Sequence, residues 1–245
     1  MRYPMAGDLQ SQTGMKANPP WVTDVLGDYW DLLQEKAPAE WLPKLEHVRP
    51  VRSGKAISAH LHELGCGAYG CVLPTLDPKV VVKVTTDVSE AKFAIEHAES
   101  LVAPVCVHYY LVIELSELHE GRPLHLLWRQ SADHVGDAEN TLGKGADDQI
   151  DRQAILAGAA FDAIWNHMPV AETKKRISDW LEYLDRAYHR NNYKPICDLF
   201  AGMAKIYRQQ HILFGDVHSG NVGVVDGKWV IIDPGNIAVV PEQYR

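Results

Sequence analysis

The sequence predicts an α+β fold: a small antiparallel sheet carrying one helix, followed by a mainly helical half that closes on a β-hairpin. Three observations predict it. Short β-branched and apolar runs fall between residues 71 and 128, three amphipathic helical stripes follow between residues 150 and 207, and Asp226-Gly227 separates two apolar runs near the C-terminus.

Residues 1–20 are polar and read as a flexible tail. Over 21–55 the positions Val22, Val25, Leu26, Tyr29, Trp30 and Leu33 recur at helical spacing, and Pro38 interrupts a second segment around Trp41 and Leu45. This stretch is expected to be a helical extension packed on the main domain. The sheet-bearing half is expected over 56–130, with strands at 71–73, 80–84, 109–115 and 123–128 and a helix starting between Asp87 and Ser89. A polar stretch from Arg129 to Asp148 reads as a hinge and an irregular link into the helical half, which spans 131–245. There the stripes are Ile150, Ala154, Ala157, Phe161, Ile164, Trp165 and Met168, then Ile177, Trp180, Leu181, Leu184 and Tyr188, then Ile196, Leu199, Phe200, Met203, Ile206 and Tyr207. Val222, Val224 and Val225 make one arm of the closing hairpin, residues 229–232 the other, and Asp226-Gly227 supplies the positive φ angles of a tight turn.

Composition narrows the function. With 245 residues, 46% of them hydrophobic, the chain can bury a substantial core as one domain or two small lobes. A net charge of -8 argues against nonspecific binding to nucleic acid or to an anionic membrane, both of which rest on clustered Lys and Arg. No apolar run approaches a membrane span and the N-terminal residues lack the apolar core of a signal peptide, so the expected location is the cytoplasm. Cys66, Cys71, Cys106 and Cys197 form no CxxC pair, which disfavours a zinc site or a disulfide framework. Cys66 and Cys71 flank the tip of a glycine-rich turn; either an oxidation between them locks that turn, or they are two small strand residues that never meet.

Two clusters of residues point to chemistry. The first is Gly65-x-Gly67-x-x-Gly70-x-Val72, which continues into a strand rather than a helix, so it fits a glycine-rich β-hairpin over phosphates better than a dinucleotide-binding turn. Lys83 follows inside a β-branched apolar run, where an unpaired ammonium is costly to bury, and it needs an anionic partner. Glu90 shares a helix face with Phe93, Ala94, His97 and Leu101 and is the candidate; the rival reading makes it a capping-box residue reaching back to Asp87. The second cluster is Asp216, His218 and Asn221, with Asp233 across the hairpin. The hairpin carries Asn221 and Asp233 to one end, where an amide oxygen and a carboxylate can share a hard cation such as Mg²⁺.

In order and spacing these two clusters resemble the protein-kinase-like superfamily, over roughly residues 58–236. The resemblance implies a two-lobed fold with a truncated, mainly helical C-lobe. It implies ATP and Mg²⁺ or Mn²⁺ as cofactors, phosphate cover by Gly65, Gly67, Gly70 and Val72, phosphate anchoring by Lys83, and pairing of Lys83 with Glu90. Asp216 is implied as catalytic base, Asn221 and Asp233 as metal ligands, and residues 126–130 as neighbours of the adenine. His218 stands where serine/threonine kinases place lysine, and the D-x-H-x-x-N pattern is similar to that of antibiotic kinases and HipA-type proteins. Phe214 replaces the catalytic-loop histidine and Pro234 the phenylalanine of D-F-G. Only ten residues follow Gly235, too few for an activation segment, so the acceptor is expected on the middle helices, the N-terminal extension or a partner protein. The expected function is transfer of the ATP γ-phosphoryl group to a hydroxyl, on Ser/Thr of a protein or on a small molecule; the alternative is a nucleotide-binding pseudokinase scaffold.

Overall fold

The computed structural model describes residues 70–75, 77–97, 105–119, 121–134, 146–190 and 193–245. The expected tail and helical extension, together with Gly65, Cys66 and Gly67, lie outside the described residues. What is described is mixed α+β, with four α-helices and small antiparallel sheets.

Strands β1 (Gly70–Pro74), β2 (Val80–Thr85), β3 (Tyr109–His119) and β4 (Arg122–Gln130) form one antiparallel sheet in the order β1-β2-β4-β3. The β-branched sequence VVVKVT suits β2 to the middle of the sheet, and all six of its residues are buried. Between β2 and β3 runs α1 (Val88–His97), which buries Ala91, Phe93 and Ala94. Asp87 caps it: Oδ1 accepts from the amides of Ser89 at 2.8 Å and Glu90 at 3.3 Å, satisfying donors that the first turn leaves free. The two-residue β5 (Asp133–His134) leads away from the sheet.

The helical half is α2 (Ala146–Trp165), α3 (Val170–Arg190) and α4 (Lys194–Gln210). Each carries one predicted stripe, except that Trp165 and Tyr188 are exposed and Met168 falls beyond α2; Trp180, Leu184, Ile196, Leu199, Phe200 and Met203 form the fully buried centre. Pro195 sits in the first turn of α4, and His211 ends the helix in the left-handed region at φ 57°, its amide donating to the Tyr207 carbonyl at 2.8 Å. The chain is thereby turned into β6 (Ile212–Phe214). Next comes the hairpin of β7 (Val222–Val225) and β8 (Lys228–Ile231), whose turn takes φ 49° at Asp226 and 75° at Gly227, and β9 (Ile237–Val239) returns to pair with β6.

The hairpin is fastened to the sheet-bearing half by backbone. The Ile231 amide donates to Val105 at 2.6 Å, and the Val107 amide donates to Ile231 at 3.0 Å. One cluster of buried side chains consequently runs from Phe93 and Leu127 through Ile231 to Trp180 and Met203. No helix among the described residues is long and apolar enough to cross a membrane.

Buried in β4 opposite Thr85 is His125, whose Nδ1 has no partner among the described residues. Burial lowers its pKa below the ordinary histidine value, against the pull of Glu114 and Asp87. The unfolded chain therefore binds a proton near pH 6 more readily than the folded one. Stability is complete above about pH 6.5 and falls as pH drops below it. Melting temperatures at pH 7.5 and pH 5 should differ by more in the wild type than in His125→Gln; equal differences would remove His125 from the acid sensitivity.

Candidate active site

Lys83 is the buried charge at the centre of the site, on β2 opposite Leu127, with only 4% of its surface exposed. Its Nζ lies 2.7 Å from Glu90 Oε2 and 2.6 Å from Asp233 Oδ2. Burial alone would lower the ammonium's pKa, but the two carboxylates outweigh it and hold the group above its usual value. The second oxygen of Glu90, Oε1, accepts from the Tyr109 hydroxyl at 3.0 Å. Of the two sequence readings of Glu90, the pairing with Lys83 is the one the geometry carries. The Asp87 amide, which a capping-box glutamate would hold, donates instead to Thr85 Oγ1 at 3.0 Å.

Asp216 stands on the turn that follows β6. Phe214, fully buried, meets Phe93 of α1 edge to face at 5.8 Å, so an aromatic contact anchors the base of the loop. Gly215 donates its amide to Asn236 at 2.9 Å, and a Cβ there would come within 2.9 Å of that same carbonyl and 3.1 Å of Phe161, which is why the position takes glycine. The rest of the loop hangs from the helices. The Ser219 amide donates to Asp151 Oδ1 at 2.8 Å, Gln153 Nε2 donates to the Val217 carbonyl, and Trp180 Nε1 donates to Gln153 Oε1 at 3.2 Å. His218 caps the short turn Ser219–Asn221, its Nδ1 accepting from Gly220 N at 3.0 Å. Asn221 Nδ2 donates to the Asp216 carbonyl at 2.8 Å, which leaves Oδ1 as the atom Asn221 can offer a cation.

Asp233 follows Ile232, whose amide donates to the Asn221 carbonyl at 2.9 Å and whose carbonyl accepts from Arg129 Nη1. Next to it Gly235 is ringed by acids. A Cβ on Gly235 would stand 3.6 Å from Asp216 Oδ2, 3.7 Å from Asp87 Oδ2 and 3.9 Å from Asp233 Oδ1. Asp87, Glu90 and Asp233 each offer an oxygen within 4.8 Å of the others, a hard donor set of the kind Mg²⁺ and Mn²⁺ select. Burial holds the Asp216 carboxyl above the usual carboxylate range, the charges of Asp233 and Asp87 add to that, and His218 opposes it.

Of the residues singled out from sequence, Lys83, Glu90, Asp216 and Asp233 come together, with Asn221 bonded to the loop of Asp216. Gly70 and Val72 lie on β1 opposite Thr85 and Lys83. A Cβ at Gly70 would collide with the Val84 carbonyl, so the sheet alone accounts for that glycine. Sequence reasoning gave no site role to Asp87, Tyr109, Asp151 or Gln153, and placed Arg129 only within 126–130 as a neighbour of the adenine, not beside Asp233. A charge within or at the end of an apolar strand was the available signal for Arg129; for the others spacing carried none. The chain matches no protein-family model and no curated protein.

Truncating Lys83 would remove the ammonium that lies 2.7 Å from Glu90 and 2.6 Å from Asp233. Lys83→Met is expected to cost about 3–5 kcal/mol of folding stability. Adding Glu90→Gln should recover part of it. Denaturant melts of both single variants and the double variant measure this, and strictly additive losses would remove the coupling.

Proposed function

We propose that this chain is an ATP- and Mg²⁺-dependent phosphotransferase with the two-lobed fold of the protein-kinase-like superfamily, passing the γ-phosphoryl group to a hydroxyl, in the first instance Ser or Thr of a protein. One observation carries the reading. A buried Lys83–Glu90 pair meets Asp233, 150 positions along the chain from Lys83, and Asp233 and Asp216 both direct an oxygen toward Gly235.

In this reading Lys83 holds the α- and β-phosphates while Glu90, itself fixed by Tyr109, fixes Lys83. Asn221 and Asp233 hold the cation, with the free oxygen of Asp87 beside them. The bound cation supplies neutralisation of charge on the β- and γ-phosphates. Asp216 orients the acceptor hydroxyl and takes its proton as the new O–P bond forms and the bond to the β-phosphate oxygen breaks. Its raised pKa brings it closer to the range in which a general base works.

ATP should raise the melting temperature of the wild type only when Mg²⁺ or Mn²⁺ is present, with a shift that grows as RT ln(1 + [L]/Kd). Asp233→Asn should lose most of that shift. Asp216→Asn should keep it and lose phosphoryl transfer by about 10² to 10⁴-fold, read as phosphate incorporation by intact mass. Equal shifts in wild type and Asp233→Asn would sink the metal assignment, and full activity in Asp216→Asn would sink the base. A wild type that binds Mg²⁺-ATP but transfers nothing to itself, to protein acceptors or to small alcohols would make the chain a nucleotide-binding scaffold.

A further inference from the structure

Arg129 closes β4, in register with Val81 on one side and Tyr109 on the other, and only 6% of its surface is exposed. A guanidinium remains charged at any working pH, so its burial demands compensation. Its one hydrogen bond to protein in the described residues runs 103 positions along the chain, from Nη1 to the Ile232 carbonyl, the peptide immediately before Asp233; its Nε has no partner among them. Ile232 is thus held at both of its backbone groups, its amide donating to Asn221 and its carbonyl accepting from Arg129. The same buried compartment holds Lys83, Glu90 and Tyr109, and with Asp233 its charges are two positive and two negative.

We infer that Arg129 is the positioning residue of Asp233. It anchors the backbone at 232–233 to the four-stranded sheet. The anchoring stands on geometry, and its use rests on the phosphotransferase reading: without Arg129 the hairpin end would lose its tie to the sheet at the residue next to the one that reading gives to the cation. Lysine in this place keeps the charge but has no planar fork to reach the carbonyl from the end of β4.

The test compares wild type, Arg129→Lys and Arg129→Met. Amide exchange is followed over residues 231–236 and, as a reference, over α4. Arg129→Lys, which keeps the buried charge, is the variant that folds if Arg129→Met does not. Exchange over 231–236 should rise on the order of tenfold in Arg129→Lys with α4 unchanged, and the Mg²⁺ concentration that half-saturates the ATP-induced thermal shift should rise by a similar factor, the usual cost of losing a residue that orients a ligand. Wild-type exchange over 231–236 in either variant, or a uniform rise that includes α4, overturns the positioning role. A wild type with no Mg²⁺-dependent shift overturns the phosphotransferase reading, while the exchange comparison still decides the anchoring.

Discussion

The ammonium of Lys83 dictates much of this fold. A charge buried in the middle of a sheet is tolerated only with close, well-placed opposite charge. Here one carboxylate arrives from seven residues away, on the first turn of α1, and the other from 150 residues away, beyond the closing hairpin. The pair with Glu90 sets how α1 leaves β2. Glu90 is free to turn inward because Asp87 caps the helix with its own Oδ1 and Tyr109 occupies the remaining oxygen of Glu90. The pair with Asp233 sets where the hairpin must end, and the Val105–Ile231 and Val107–Ile231 bonds bring it there through backbone alone.

The loop of Asp216 obeys a different constraint. It is irregular, so its polar backbone groups have no strand or helix of their own to pair with, and those turned inward need side-chain partners. Asp151 and Gln153 of α2 provide them, and Trp180 of α3 fixes Gln153 in turn. That chain of bonds explains a fully buried glutamine in an otherwise apolar helix stripe. It also makes the placement of Asp216 a property of the helical half, while Asp233 belongs to the hairpin and, through Arg129, to the sheet.

How much of this was legible in the sequence follows from the range of each interaction. The strands, the three helices and the Asp226-Gly227 turn rest on local periodicity and backbone preference, and they appear within a few residues of where periodicity puts them. Lys83 was legible because an ammonium among valines announces its own need for a partner, and Glu90 because it lies on the apolar side of the next helix. The argument that exposed Lys83 applies to Arg129 as well, but Arg129 ends its apolar run at the start of a polar stretch and reads as a strand end. Asp87 was legible only as a helix start, since one oxygen does the capping and only the folded chain reveals where the other points. Gln153 sits among Ile150, Ala154 and Ala157 with nothing local to mark it, because its partner is a backbone carbonyl 64 positions away.

The acids around Gly235 show what the site is balanced to do. Asp87, Asp216 and Asp233 direct oxygens at one small volume, and like charges at such separations repel unless a cation intervenes. Of the three, Asp233 has Lys83 at 2.6 Å on the buried side, and the glycine they surround adds no side chain. Burial is the main cause of the raised pKa of Asp216, with Asp233 and Asp87 adding to it and His218 opposing them. Lys83 compensates Glu90 and Asp233 on the buried side, and Asp87 has a structural role of its own as the cap of α1. The carboxylates around Gly235 are held from three sides by α1, the loop of Asp216 and the hairpin, so a divalent cation, which the phosphotransferase reading would add, would meet oxygens whose positions the fold has already set.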